Sequence, residues 1–211
     1  MKKLYIEDCI KTLKRDLTYD YVVTSPPDFD ELDKTIHNLS YFDFIKDVAA
    51  LLNPVGNFVS ICISDRKSGG QIISKHSIVI DVFKTLGYIL HSHKIWVKGT
   101  GVNDYRVNYQ HIMTFSRKGT KRKPVADFKP DVFIVNQSKY KSYTYGMPVR
   151  IIELLVNNYT DKNNIVYDPF MGSGTTAEAC DNTRRRWIGS EIDEKYGELV
   201  KERMGLGAED L

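Results

Sequence analysis

The chain has 211 residues, 42% of them hydrophobic and 27% charged. That is the length of one domain and an ordinary globular composition, which excludes disordered and collagen-like classes. The formal net charge of +3 at pH 7 is too mild to identify a partner until its distribution is considered.

Residues 4–7 read as a short strand that follows the first residues directly, so no secretory leader is expected. Residues 8–17 carry Ile10, Leu13 and Leu17 at helical spacing. Tyr21-Val22-Val23-Thr24 is a β-rich run that stops at Ser25-Pro26-Pro27, because consecutive prolines cannot continue a sheet ladder. Residues 41–52 have the period of an amphipathic helix, ended by Asn53-Pro54 and Gly56. A buried-strand run at 57–63 follows, then a predicted helix over 72–86 ending at Gly87, then strands at 88–97 and 111–115. Segment 116–145 is basic, tyrosine-rich and irregular apart from the apolar run 132–135, and is expected to be a small insertion in a single domain spanning 1–211. Regularity returns with a helix at 149–156, a strand at 165–167, a glycine-rich turn at 171–174 and a helix from Thr175. A strand at 187–190 and a helix at 194–204 close the order.

Strands alternating with helices predict an α/β fold round a mostly parallel sheet of about seven strands. Ligands of such sheets sit beyond the carboxyl ends of the strands. Three predicted strand ends carry unusual chemistry and should open onto one edge: Ser25-Pro26-Pro27-Asp28, the string Asp168 to Thr176, and Glu191-Ile192-Asp193. No apolar run is long enough to cross a membrane. Cys9, Cys62 and Cys180 stand too far apart for a disulfide scaffold or a clustered zinc site. His37, His76, His91, His93 and His111 show no ligand spacing, so no metal is expected, and Asp65-Arg66-Lys67 reads as a surface turn. A soluble cytoplasmic protein is the expectation.

In the string Asp168-Pro169-Phe170-Met171-Gly172-Ser173-Gly174-Thr175-Thr176, Gly172 and Gly174 permit a tight turn and close approach of a ligand to the backbone. Thr175 and Thr176 open a helix whose free N–H groups suit a carboxylate or a phosphate. Asp168 suits a cationic amine, and Glu191 suits a ribose diol. Carboxylate, ammonium and ribose together describe S-adenosylmethionine better than a dinucleotide, and neither G-x-G-x-x-G nor G-x-x-x-x-G-K-[ST] is present. At the other bend, Ser25 Oγ and the Pro26 carbonyl are acceptors whose direction the prolines hold. An exocyclic base amine is a poor nucleophile until such acceptors draw its N–H groups toward tetrahedral geometry.

Thr24-Ser25-Pro26-Pro27 and the Asp168–Thr176 string together resemble the amino-methylating DNA methyltransferases of the β-group, with the catalytic half first and the cofactor half last. The likeness spans nearly the whole chain and implies a circularly permuted Rossmann-like fold, S-adenosylmethionine as cofactor, and DNA as substrate. Leu51-Leu52-Asn53-Pro54-Val55-Gly56-Asn57-Phe58, Lys94–Lys98 and His111–Lys118 are similar to further elements of the family. Met147-Pro148 before a helix is similar to the element that binds the methionine tail. The resemblance implies that Asp168 binds the methionine amino group and that Thr175 and Thr176 bind its carboxylate. It further implies that Glu191 binds the ribose, Asp8 the adenine amine, and that Phe170 lines the pocket. Cys9, Thr24, Pro169, Gly172, Ser173 and Gly174 complete the expected cofactor site. Serine at the first motif position is commoner for cytosine N4 than for adenine N6.

The family places an aromatic ring after the two prolines, to stack on a flipped base. This chain has Asp28. Three accounts stand open: Phe29 or a tyrosine of 140–145 supplies the ring; Asp28 takes the released proton or binds a base edge; or activity is lost and the chain is a silent nucleic-acid-binding subunit. Segment 116–145 would be the target-recognition region, with Arg117, Lys118, Lys121, Arg122 and Lys123 on phosphates. So small a region predicts loose specificity, a homodimer, or a single-stranded substrate.

Overall fold

The computed structural model describes residues 2–28, 40–99, 107–117, 120, 128–136 and 146–207. In chain order the elements are β1 (Lys2–Ile6), α1 (Cys9–Leu13), β2 (Tyr21–Thr24), α2 (Tyr41–Leu51), β3 (Phe58–Ile63), β4 (Arg66–Ser68), β5 (Gln71–Ile73) and α3 (Lys75–Thr85). They continue with β6 (Tyr88–Val97), β7 (Tyr109–Arg117), β8 (Val132–Ile134), α4 (Val149–Tyr159), β9 (Ile165–Asp168), α5 (Thr175–Asn182), β10 (Arg186–Glu191) and α6 (Glu194–Met204).

Among the described residues, eight strands form one sheet in the order β1-β10-β9-β2-β3-β7-β6-β8, while β4 and β5 pair with each other. The five strands from β1 to β3 are parallel. β7 runs antiparallel to both neighbours, and β8 pairs parallel with β6. This is the Rossmann-like α/β sheet expected, with one strand more than the count predicted. The addition includes β8, three residues of segment 116–145 that pair with Ile95, Trp96 and Val97.

Side chains alternate between two cores because successive strand residues face opposite sides. Tyr21, Val23, Phe58, Cys62, Val166 and Trp187 pack under α4, α5 and α6. Val22, Val59, Ile61, Tyr167 and Ile188 pack under α1, α2 and α3. With both faces covered, β2 and β3 are buried at every position, which is why they read as unbroken apolar runs rather than alternating ones.

The expected helix at 72–86 starts later, at Lys75, because Ile72 belongs to β5. Gly69 and Gly70 both adopt left-handed φ, 56° and 74°, and make a hairpin turn that a side chain would strain. Below the sheet, Gly56 donates its N–H to the Asp20 carbonyl at 2.9 Å, and a Cβ there would meet that oxygen at 2.6 Å. Asp20 in turn bonds the Ile165 amide through its carboxylate at 2.7 Å, so it ties the entries of β2 and β9. Gly56→Ala is therefore expected to lower stability by about 1–3 kcal/mol, read from the urea midpoint with an unchanged slope.

Candidate active site

Because β1, β10, β9, β2 and β3 are parallel neighbours, their carboxyl ends share one edge. Thr24 ends β2 and Asp168 ends β9, and their side chains meet. Thr24 Oγ1 donates to Asp168 Oδ1 at 2.6 Å, although the two residues lie 144 positions apart. Thr176 Oγ1 donates to the other carboxylate oxygen at 2.6 Å, and the Phe170 amide donates to Oδ1 at 3.0 Å. Burial pushes the Asp168 carboxyl above its ordinary range, and these three hydrogen bonds pull the other way. Thr24 and Pro26 line one small apolar slot with Pro169, Phe170 and Ile45. The serine-proline bend and the glycine turn thus form one structure.

The glycine turn is held from three sides. Gly172 and Gly174 have φ of 54° and 84°, which only glycine adopts without cost. Glu191, at the end of β10, accepts the Gly172 amide at 2.7 Å on one oxygen and the Asp193 amide at 2.9 Å on the other. Burial raises its carboxyl, with these two amides opposing the shift. Arg203 of α6 donates to the Ser173 carbonyl at 2.7 Å and to Glu178 at 2.7 Å. Gly146 lies so near that a Cβ there would be 3.4 Å from Thr175 Oγ1 and 3.6 Å from Ser173 Oγ. Asp8, just past β1, caps α1 by accepting the Ile10 amide at 2.8 Å. Cys9 is buried beside it, and burial pushes its thiol up.

On the bend itself, Ser25 is exposed and Pro26 buried. Gln110 of β7 reaches Ser25 Oγ at 3.4 Å, and the Tyr41 hydroxyl donates to the Pro27 carbonyl at 3.2 Å. Asp28 is tied to two cations, Lys75 at 2.9 Å and Arg66 at 3.2 Å. Lys75 is almost wholly buried, so the carboxylate that stands where the family has a ring is neutralised by the start of α3 and by β4.

Arg117 is not brought to this edge. Its strand runs antiparallel, so Ser116 pairs with Phe58 and Arg117 with Tyr88 at the starting ends of β3 and β6. It lies six positions along the strand from His111, roughly 20 Å. It bonds Asn53 and lies over the Tyr88 ring instead. The cluster Arg184-Arg185-Arg186 lies before or at the start of β10, also on the far edge, where Arg185 bonds Thr160 and Asn157. Phe29, Lys118, Lys121, Arg122, Lys123 and residues 140–145 lie outside the described residues.

Four neighbours of the bend and the glycine turn were not read from the sequence: Gln110, Lys75, Arg203 and Gly146. Only Gly146, one residue before Met147-Pro148, carried a local signal. The Asp65-Arg66-Lys67 stretch is not a surface turn. Asp65 is buried and Arg66 opens β4. Asp65 receives His76 and His111, and these neighbours hold its carboxyl below the ordinary range against the opposing effect of burial. Burial lowers His93 and His111 below the usual imidazole value.

A family model described as DNA methylase matches residues 19–202. YubD of Escherichia coli (strain K12) is 30% identical over 126 residues, which are 58% of this chain and 54% of that protein. The chain therefore matches about half the length of YubD. The solved M1.HpyAVI–SAM complex superposes with a TM-score of 0.73 at 25% identity, covering 98% of this chain and 100% of that one. The cytosine-N4-specific PvuII DNA methyltransferase superposes with a TM-score of 0.82 at 18% identity, covering 97% and 86%. No helix among the described residues is long and apolar enough to cross a membrane. With the family model covering most of the chain and both motifs joined at one sheet edge, this protein belongs to the amino-methylating DNA methylases, a family of S-adenosylmethionine-dependent enzymes.

Proposed function

We propose that the chain transfers a methyl group from S-adenosylmethionine to an exocyclic amino group of DNA, cytosine N4 before adenine N6. The observation that carries this reading is the Thr24–Asp168 hydrogen bond, which holds the proline bend and the glycine turn in contact. A methyl donor on one and an amine acceptor on the other then lie within reach.

The residues present fit the cofactor. The first turn of α5 offers free N–H groups, with the Ser173 and Thr175 hydroxyls beside the Gly146 backbone; this donor set suits an amino-acid carboxylate. Each Glu191 oxygen accepts one amide and keeps a lone pair for a ribose hydroxyl. Asp168 keeps less: three of its roughly four acceptor sites are taken. It would hold the methionine ammonium through its remaining acceptor site and its charge. Asp8 and Phe170 would hold its adenine. When bound, S-adenosylmethionine supplies an electrophilic sulfonium methyl.

Ser25 Oγ, exposed at the bend, and the Pro26 carbonyl accept the two N–H groups of the target amine. Gln110 orients the serine, and Tyr41 holds the Pro27 carbonyl so that the bend does not turn away. The ion pairs of Asp28 favour an anchoring role over stacking or proton uptake, since its two oxygens are already engaged by Lys75 and Arg66. Serine at position 25 favours cytosine N4. Segment 116–145 serves as the target-recognition region, on a duplex with the base flipped or on a single strand, and the work is cytoplasmic. Transfer of tritiated methyl to duplex and single-stranded DNA, followed by mass spectrometry of the nucleosides, tests the proposal. N4-methylcytosine is expected, and an unmodified substrate would refute the enzyme.

Glu191→Ala should weaken cofactor binding by about 1–3 kcal/mol, the loss of one charge-assisted hydrogen bond, with Glu191→Gln falling between. Isothermal titration reads both, and an unaltered affinity would remove Glu191 from the pocket.

A further inference from the structure

Asp65, His76 and His111 are separated by 11 and 46 positions from the carboxylate, so no spacing announces them as a set. The fold assembles them. β3 delivers Asp65 just past its end, its antiparallel neighbour β7 delivers His111 opposite Ile63, and the first turn of α3 delivers His76. His76 Nδ1 stands 2.8 Å from both Asp65 oxygens, and His111 Nε2 stands 3.3 Å from Oδ2. The two imidazoles stack at 4.0 Å and 24°. The Asp65 and His111 side chains are 3% and 9% exposed, whereas His76 is 24% exposed. The cluster is thus closed on the sheet side and open past α3.

We propose that Asp65, His76 and His111, none of which takes part in the proposed methyl transfer, form a binding site for a divalent transition-metal ion, zinc first. Among the described residues this is the one group whose donor atoms converge, all within 4.8 Å of one another. Two imidazole nitrogens and one carboxylate are the donor set of many three-ligand zinc sites, with the fourth position left to water. Donors round tetrahedral zinc stand roughly 3.3 Å apart, so His76 and His111 need move only by ångström-scale steps to admit an ion.

The hydrogen bonding beyond the triad supports the assignment. His93 Nε2 lies 2.9 Å from His111 Nδ1. When His111 Nδ1 carries the proton and donates to His93, Nε2 presents its lone pair to Asp65 Oδ2. Two acceptors at 3.3 Å repel unless a cation lies between them. A histidine ligand whose other nitrogen donates to a neighbour is the usual outer layer of a metal site. The opposite tautomer needs no ion: Asp65 then caps α3 by accepting the His76 amide at 3.3 Å and the two ring N–H groups. These alternatives differ in what they bind.

The ion would clamp β3, β7 and α3 together. That clamp sits one residue from Lys75, which holds Asp28, and one residue from Gln110, which reaches Ser25. Its consequence for the active edge is positional, and its binding does not depend on the proposed methyl transfer.

Tag-free protein is stripped with chelator, incubated with zinc chloride, desalted and analysed for metal by mass spectrometry. About one equivalent of zinc should remain per chain, and zinc alone should raise the melting temperature. His111→Ala and His76→Gln should each lower zinc affinity roughly tenfold or more against a competing chelator. His91→Gln, on the opposite face against Phe58 and Tyr159, should leave it unchanged. His76 is partly exposed, so His76→Gln keeps the test informative if His111→Ala unfolds. Retention well below one equivalent in the parent protein, or zinc binding equal in parent and both triad variants, overturns the proposal.

Discussion

Replacing Ser25 and Pro26 together by alanine is expected to lower methyl transfer by roughly 100- to 1000-fold, the usual cost of removing a hydrogen-bonding group aimed at a transition state. Cofactor affinity should stay nearly intact. Ser25 is exposed at the bend, and its hydroxyl takes no part in the Thr24–Asp168–Thr176 bonds that shape the glycine turn. Pro26 is buried in the apolar slot with Pro169 and Phe170, so its loss also releases the direction of its own carbonyl. Single-turnover transfer of tritiated methyl and titration with cofactor read the two quantities separately. Turnover at the parent level would remove the bend from the catalytic edge. Loss of cofactor affinity alongside turnover would mean that the bend serves chiefly to shape the glycine turn.

Asp168→Ala is expected to weaken cofactor binding by about 3 kcal/mol or more, because it strands three donors at once and separates the two motif halves. Asp168→Asn keeps the volume, and the threonine hydroxyls can turn to meet the amide, so it should retain the fold and lose mainly the charge. The pH dependence follows from the direction of the carboxyl shift. Burial raises the folded value above the ordinary 3.8, so the folded apoprotein binds the proton more readily than the unfolded chain. That contribution to stability is full below the unfolded value and is lost as pH rises through the folded one. An ammonium beside the carboxylate favours the ionised form. Cofactor binding should therefore release protons and tighten as pH climbs from 3.8 towards and through the raised value. Asp168→Asn should flatten that rise. A pH-independent affinity in the parent protein would exclude Asp168 as the ammonium partner.

Much of the order of elements was legible because local patterns carry it. Tyr21–Thr24 and Phe58–Ile63 are continuous apolar runs of strand length, and α2 has an apolar stripe with Ser40 capping it through the Asp43 amide. The misread start of α3 had a signal of its own. Ser68-Gly69-Gly70-Gln71 is the turn of the β4–β5 hairpin, whose second strand takes Ile72 and Ile73. The two motifs were legible for a different reason: a proline pair and a glycine turn restrict the backbone so strongly that few other residues could stand there.

Local restriction by itself determined that a rigid acceptor bend and a helix-opening turn exist, and in which order. Only the tertiary structure decided what faces them. One reversed strand sends Arg117 to the far edge while it brings Gln110 to Ser25. The same strand carries His111 to Asp65, α3 carries Lys75 to Asp28, and α6 carries Arg203 to Ser173. Strand order and direction depend on which apolar faces bury each other across long stretches of chain, and the identity of a charged residue at the end of a strand says nothing about that choice.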